Sequence, residues 1–497
     1  MKITLINPPL QIGKDYDGKI ELYQPTGLLY IAAAIEKAGY EVNVLDAVIE
    51  NYKKETISGE YKFIGLDFKE IAKRVSDSNV IGITGMSLWK ESIFNVASEI
   101  KKINKKSLII VGGPFASWHP EECLRKAIDF VVIGEGEITI SELLNSIKNN
   151  LPKKNIFGIA YKENKIIKIN EKRPFLEDLD KLQFPARHLI SMQKYFEASK
   201  TYKYSRGQSK SSRTVSIITS RGCPFNCIFC SAFILSGKLW RNRSAQNVVA
   251  EIKECIKNYS ISDVYFEDEN MSLNRERMEK ICDMIIKEKY NINLHAGQGL
   301  RADTLDKSIL IKMKKAGFKS ITIAPETGSQ RVMNEIIDKK IKLSKIEEVI
   351  MNCREIGIET SCFFVIGMPG ETKKEIRQTL KYAQKLRKLG AYHCTVRNAM
   401  PIPGTRMHKI AKENGYLLRD GVELEEVMYT TKEHQMATNE WDSEYVERMC
   451  RTAEIEDIKD SNLKMVNIKY TKKLIRGIIK SPKETVKVII RRLNYYF

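Results

Sequence analysis

Short apolar segments alternate with amphipathic helical segments over most of this chain. KITLIN (2–7) precedes the helical GLLYIAAAIEKAG (27–39), and VIGITGMS (80–87) precedes ESIFNVASEIKKIN (91–104). Most of the apolar runs end in a turn rich in Gly or Ser. Buried strands that are separated by helices form parallel sheets. The alternation therefore predicts an α/β protein.

The alternation falls into two blocks, and 497 residues are too many for one ordinary core. Residues 1–150 predict a doubly wound domain of the Rossmann or flavodoxin type. Residues 151–212 are polar and hairpin-like, so we expect a connecting segment there. Residues 213–410 contain six β–α units, which predict a partial (β/α)6 barrel. Residues 411–497 predict a helical, basic C-terminal region.

In doubly wound folds, ligands bind beyond the carboxyl ends of the strands. Glycines at this edge allow the backbone to approach a ligand closely, although a tight strand–helix turn is the alternative explanation. In the first block this edge carries Asn7-Pro8-Pro9, Asp46, Ser87, Gly112-Gly113-Pro114 and Gly134-Glu135-Gly136-Glu137.

About half of the formal net charge of +20 lies at the end of the chain, since residues 464–497 contain ten Lys or Arg and one acid, Glu484. Elsewhere lysines are spread over helices as a solvated surface, so we expect no nucleic-acid partner. No apolar run could span a bilayer and the N-terminus lacks signal-peptide features, so we expect a cytoplasmic protein. The basic amphipathic tail (472–497) could dock on the barrel or contact an anionic membrane.

Three of the ten cysteines form a cluster, Cys223, Cys227 and Cys230 in RGCPFNCIFCS (221–231), and the other seven are scattered singly. Thiolates are the ligands of iron–sulfur clusters. A cubane normally takes four ligands, so three leave one iron open to chelate S-adenosylmethionine. A structural zinc site is the alternative, but zinc requires a fourth ligand at short spacing. No further Cys or His lies between His188 and Cys255.

The motif CxxxCxFC, followed by five β–α units, resembles the radical S-adenosylmethionine (SAM) superfamily. The resemblance implies a [4Fe-4S] cluster and reductive cleavage of SAM to a 5′-deoxyadenosyl radical. It also implies that Phe229 packs against the adenine and that Arg301, Glu326 and Asp268 contact the methionine or ribose, with Gly367 in a turn of the family. The alternative for Glu326 and Asp268 is a structural role, in which the carboxylate caps a helix or forms a salt bridge within a loop.

Residues 1–150 resemble the N-terminal domain of cobalamin-binding radical enzymes, through NPP, PTGLLYIAAAIEKAGYEV, VGGPFAS and VIGEGE. Many cobalamin domains carry Asp-x-His-x-x-Gly. The stretch compared with it here begins at Asp46 and has Val48 in place of the histidine. Cobalamin would then bind without a protein imidazole, or the domain would no longer bind it. The resemblance implies cobalamin contacts from Pro8, Asp46, Ser87, Gly112, Gly113 and Glu135.

The implied function is cobalamin-dependent methylation of an unactivated carbon or phosphinate centre. Oxidative ring closure of the anaerobic magnesium-protoporphyrin cyclase type is the first alternative, and a non-catalytic cobalamin or cluster sensor is another. Methylthiolation of tRNA would require three more N-terminal cysteines, whereas residues 1–122 contain none. The implied partners are a small-molecule substrate, which could be hydrophobic or lipid-like, and an electron donor such as flavodoxin or ferredoxin.

Overall fold

The computed structural model describes residues 1–16, 20–201, 212–421 and 433–465, with side chains up to Asp457. The basic tail (472–497) lies outside these residues, so its contact with a membrane or with the barrel stays a prediction. Within the described residues, no helix is long and apolar enough to cross a membrane.

The described residues contain eighteen strands. They are β1 (Ile3–Asn7), β2 (Leu10–Gly13), β3 (Val42–Asp46), β4 (Glu55–Ser58), β5 (Tyr61–Ile64), β6 (Val80–Thr84), β7 (Leu108–Gly112), β8 (Phe130–Val132), β9 (Ile159–Glu163), β10 (Ile166–Ile169), β11 (Thr214–Ile217), β12 (Ser220–Arg221), β13 (Arg241–Asn242), β14 (Asp263–Phe266), β15 (Asn293–Leu300), β16 (Phe318–Glu326), β17 (Glu359–Ile366) and β18 (His393–Asn398).

Helices connect most of the parallel strands. The described α-helices are α1 (Thr26–Lys37), α2 (Ala47–Glu50), α3 (Phe68–Arg74), α4 (Lys90–Ile103), α5 (Pro114–Trp118), α6 (Pro120–Leu124), α7 (Glu137–Lys148), α8 (Met192–Ala198), α9 (Ala232–Ser236), α10 (Ala245–Tyr259), α11 (Arg275–Glu288), α12 (Lys307–Ala316), α13 (Leu343–Ile356), α14 (Lys373–Leu389), α15 (Arg406–Glu413) and α16 (Ser443–Met465).

The first sheet has seven strands in the order β10-β9-β8-β7-β6-β1-β3. Its five strands β3, β1, β6, β7 and β8 are parallel, and their order is that of flavodoxin-like folds, with the topological switch point between β1 and β6. This confirms the predicted doubly wound domain. The hairpin predicted in the connecting segment is β9–β10, and it extends this sheet because β9 pairs antiparallel with β8.

A small antiparallel sheet, β2-β5-β4, was not predicted. Its strands come from loops of the first domain, and β4 is exposed along its whole length. Hydrophobic patterning cannot reveal a strand that has no buried face. Pairing with β5 across the turn at Gly59 holds it in place.

The second sheet has six parallel strands in the order β11-β14-β15-β16-β17-β18, which confirms the predicted partial barrel. Helices α10 to α14 cover its outer face. Local sequence defines their ends. Ser244 caps α10 by accepting a hydrogen bond from the Asn247 backbone N–H, and Thr372 with Glu375 forms a capping box at the start of α14.

Among the described residues no strand pairs with the outer edge of β11, and side chains satisfy its backbone groups instead. The Gln24 amide donates to the Thr214 carbonyl (2.9 Å) and accepts from the Ser216 N–H (3.1 Å). Arg187, from the connecting segment, donates to the Ser216 carbonyl (2.8 Å). At the opposite edge, Asp457 of α16 accepts from the Cys394 N–H of β18 (2.9 Å).

Candidate functional site

The loop between β11 and α9 presents the three clustered cysteines, and its entry depends on Gly222. Gly222 has φ +87°, and a Cβ atom there would lie 2.3 Å from the Leu239 carbonyl oxygen and 2.9 Å from that of Ser236. Only glycine fits this position without movement of the backbone. The Cys223 N–H then donates to the Gly237 carbonyl (3.2 Å), and the Ile228 N–H donates to the Ile337 carbonyl (3.2 Å).

Cys223, Cys227 and Cys230 are all partly exposed. Burial raises the pKa of Cys227 to about 11 and also raises that of Cys223 and Cys230, while the positive charges of Arg301 and Lys339 act in the opposite direction at Cys223 and Cys227. No three metal-binding side chains among the described residues converge on a single ion. A cubane attaches each thiolate to a different iron, so its ligands stand further apart than those of one ion. The donor set fits a cluster better than zinc.

Arg301 follows β15 and lies against the cysteine loop. Its guanidinium carbon is 3.6 Å from the Phe225 ring centroid, and it donates to Asp303 and to the Lys339 carbonyl. Its Nη1 atom is buried without a hydrogen-bond partner in the structure. A buried donor without a partner is costly, so this atom fits a carboxylate ligand such as that of SAM.

Glu326 ends β16 in an unusual backbone conformation, with φ +64°. A left-handed conformation is rare for a non-glycine residue and is often found at functional sites. The buried carboxylate accepts a hydrogen bond from Lys339 Nζ (2.7 Å). Both groups lie near Cys227, because their charges affect its pKa.

The three acidic residues after β14 point in different directions. Asp268 is buried and accepts hydrogen bonds from Thr219 and Ser220, so it stabilises the start of the cysteine loop. Glu269 accepts from Ser236 Oγ (2.6 Å), and burial raises its pKa. Glu267 and Glu269 line the cavity between the two domains that is described below, and Asp268 does not.

Phe229 and Gly367 also differ in their surroundings. Phe229 is half-buried and packs against the barrel core next to the cysteines. Gly367 is buried, has φ +83°, and a Cβ atom there would lie 2.8 Å from Val446 and 2.9 Å from His434. The C-terminal segment therefore covers this turn, and a contact between Gly367 and SAM stays a prediction.

A cavity of about 390 Å³ lies between the first sheet and the barrel. The first domain lines it with the ends of β6, β7 and β8 and with α1. The barrel lines it with Ile218, Arg221, Glu267, Glu269 and the end of α9. It lies beyond the carboxyl ends of parallel strands and beside the switch point, where such folds bind ligands. Gly113 has φ +94°, and a Cβ atom there would be 2.9 Å from Thr84 Oγ1.

Of the residues predicted to bind cobalamin, Gly112, Gly113 and Glu135 line this cavity, whereas Pro8, Asp46 and Ser87 do not. Asp46 caps α2 and hydrogen-bonds with Asn7 and Tyr195. Val48 is buried in the small core beneath α8. Because β3 is the edge strand of the first sheet, the residues after it lie away from the cavity. Val48 does not line this cavity, and the cobalamin contact expected of Asp46 stays a prediction.

Arg221, just before Gly222, was not predicted as a site residue. Its guanidinium donates to Glu135 (3.1 Å) and to Glu137 (2.6 Å), and Arg241 donates to the other oxygen of Glu135 (2.9 Å). Burial acts to raise the pKa of Glu135, but the two arginines outweigh it and the pKa lies below its ordinary value. In the sequence, the features that could have indicated this contact are the arginine next to the cysteine motif and the two glutamates of VIGEGE.

Comparisons with known proteins match both domains. Residues 217–383 match the family described as the radical SAM superfamily, and residues 21–144 match the B12 binding domain. An uncharacterized methyltransferase of Pyrococcus horikoshii is 30% identical over 92% of this chain and 92% of its own length. The chain belongs to the radical SAM superfamily, in the branch with a B12-binding domain. Its domains imply a [4Fe-4S] cluster, SAM and cobalamin as cofactors, and it is an enzyme.

Three further similarities are informative. The cytidylyl-2-hydroxyethylphosphonate methyltransferase of Streptomyces wedmorensis is 27% identical over 90% of this chain and 88% of its own length. The anaerobic magnesium-protoporphyrin IX monomethyl ester cyclase of Cereibacter sphaeroides is 25% identical over 77% of this chain and 60% of its own. The radical SAM methyltransferase TsrM of Kitasatospora setae shares the fold, with a TM-score of 0.65, 17% identity and coverage of 84% of this chain and 77% of that one.

Proposed function

We propose that this enzyme methylates an unactivated centre of a small molecule that binds between its two domains. The observation that carries the proposal is the shared cavity, which the end of the first sheet and the residues flanking the cysteine loop line together. When bound, the cluster and SAM supply a 5′-deoxyadenosyl radical, and cobalamin supplies the methyl group. An acceptor in or beside this cavity would be within reach of both.

The residues of this chain hold and orient the reactants. In this proposal Cys223, Cys227 and Cys230 hold the cluster, and Arg301 with Glu326 binds the polar groups of SAM. Gly112 and Gly113 allow cobalamin to approach the backbone closely, and Arg221 fixes the cysteine loop against the first domain. A one-electron donor such as flavodoxin or ferredoxin would reduce the cluster. The phosphonate methyltransferase among the relatives is named for a small-molecule substrate, which supports a small-molecule acceptor.

Anaerobic reconstitution tests this proposal. We expect absorbance bands of both a cluster and a corrin, and release of 5′-deoxyadenosine and S-adenosylhomocysteine in the presence of an acceptor. Cys227→Ala should abolish the cluster bands and 5′-deoxyadenosine, whereas Cys450→Ala, which changes a half-buried cysteine of α16, should retain both. Cluster bands without a corrin would overturn methyl transfer and favour the oxidative ring closure of the cyclase group.

A further inference from the structure

The concave face of the barrel sheet can be identified from its packing. The Phe364 ring lies 6.3 Å from the Tyr382 ring of α14, so Phe364 faces the outer helices. Because successive side chains of a strand alternate, Phe363 and Val365 face the concave side. In the register between β17 and β18, Phe363 is opposite Thr395 and Val365 is opposite Arg397. Arg397 therefore shares the concave face with Phe363.

Arg397 lies near Cys450 of α16, since its positive charge acts on that thiol, but it has no hydrogen-bond or ion-pair partner among the described residues. It is exposed near the carboxyl end of β18, and the structure shows no hydrogen bond, ion pair or ring contact of its guanidinium with any described residue. Arg243, Arg277 and Arg301, in contrast, are buried and hydrogen-bonded. A cation on a concave wall that no carboxylate of the described residues pairs with is available to an anionic ligand.

The surroundings of Arg397 add an apolar contact. Phe363 lies one strand away on the same face and is 42% exposed. Deeper in the barrel the concave side carries buried polar groups, since His295 hydrogen-bonds with Asp263 and Ser320 and stacks on Tyr265. A ligand can thus reach Phe363 and Arg397 at the mouth, above this group of hydrogen-bonded side chains.

We propose that Arg397 and Phe363 form a substrate subsite for an anionic group, a phosphorus oxyanion or a carboxylate, attached to an apolar portion. The planar guanidinium can donate two parallel hydrogen bonds to either anion, and the Phe363 ring covers the adjoining carbon atoms. The inference rests on the proposed function, since it assigns a substrate class to that site. The strand order places Arg397 on the last strand of the barrel and the cysteine loop after the first, so the substrate would span the mouth between them.

Equilibrium binding of three small probes to the full chain tests the subsite. Phenylphosphonate, benzoate and benzyl alcohol share an aromatic ring and differ in the attached group. We expect Arg397→Gln to weaken the better-bound anion by about tenfold, which corresponds to ~1.4 kcal/mol, and to leave benzyl alcohol unchanged. Arg397→Lys should recover part of the loss, and Phe363→Ala should weaken all three probes.

The control is Lys381→Gln, which removes an exposed cation from the outer helix α14 and should change nothing. The ranking of phenylphosphonate against benzoate identifies the anion. Equal affinities in the wild type and in Arg397→Gln, or an equal loss for benzyl alcohol, would overturn the proposal. Binding requires no turnover, so a chain that binds the anion through Arg397 but transfers no methyl group would refute only the proposed function. Cluster and corrin spectra should be unchanged in Arg397→Gln.

Discussion

The Arg221 guanidinium of the barrel lies 2.6 Å from the Glu137 carboxylate of the first domain. Arg221 precedes the first clustered cysteine by two residues, and Glu137 is the first residue of α7. Both side chains are largely buried, with 14% and 10% of their surface exposed. The contact fixes the position of the cysteine loop relative to the sheet that carries the B12-binding edge.

Replacing Arg221 should therefore destabilise the enzyme and loosen this loop. Arg221→Met leaves Glu137 buried without its cation, and we expect a loss of about 3 kcal/mol in the free energy of unfolding. Denaturant unfolding measures it. The double variant Arg221→Met/Glu137→Leu should recover much of the loss, because no uncompensated charge remains. A single variant as stable as the wild type would show that the pair does not connect the domains.

Gly222→Ala should prevent assembly of the cluster. The added Cβ atom would meet the Leu239 carbonyl at 2.3 Å, so the loop must move before the cysteines can bind iron. Iron content and cluster absorbance after reconstitution measure the effect. The matched control is Gly39→Ala, at a similar φ of +80° but with nothing within 4 Å of the new Cβ atom. It should cost only ~1–2 kcal/mol of stability and should retain iron.

Arg301→Lys should weaken SAM binding by about tenfold, or ~1.4 kcal/mol. The planar guanidinium contacts Phe225 and keeps its Nη1 atom available to a ligand, and lysine has no such planar group. Equilibrium dialysis of SAM against the reconstituted enzyme measures it. Iron content should not change, since Arg301 supplies no cluster ligand. Arg406→Lys, at a half-exposed arginine that donates to the Asn226 carbonyl of the same loop, is the control and should leave the affinity unaltered.

Two buried groups beneath the Gly367 turn should give opposite pH dependences. Burial raises the pKa of Glu371 to about 7, while the Gly367 and Met368 N–H groups act against it. Burial lowers the pKa of His434 to about 4. Between pH 4.5 and 7 the Glu371 carboxyl is ionised in the unfolded chain but protonated in the folded protein. Its contribution to the free energy of unfolding therefore falls as pH rises. Between pH 4 and 6.5 the His434 ring is protonated in the unfolded chain but neutral in the folded protein. Its contribution to the free energy of unfolding therefore rises with pH.

These contributions oppose each other in the wild type, and single variants should separate them. Glu371→Gln should leave a protein whose free energy of unfolding increases from about pH 5 to about pH 7, and His434→Gln should leave one in which it decreases. Urea unfolding at the two pH values measures both. Parallel pH profiles in the two variants would contradict the assignment.

Much of the fold could be predicted because the parallel strands of the two large sheets are mostly buried and have strong apolar patterns. The cysteine loop could also be predicted, because Cys223, Cys227 and Cys230 lie close together in the sequence. Arg221 with Glu137 could not be predicted, because no local pattern pairs residues that are 84 positions apart. Asp46 shows a second limit of local patterns. It follows a strand end as a ligand-binding residue would, but edge strand β3 places it where Tyr195 and Asn7 use its carboxylate.

The side chains along β11 also matter for how the chain can be made. An open sheet edge is a template on which other chains can add strands and aggregate. Gln24 occupies this edge much as one peptide unit of a neighbouring strand would. Domains emerge from the ribosome and fold from the N-terminus, so the residue that closes the edge is synthesised before the edge itself. A barrel expressed without the first domain would lack this protection and should aggregate.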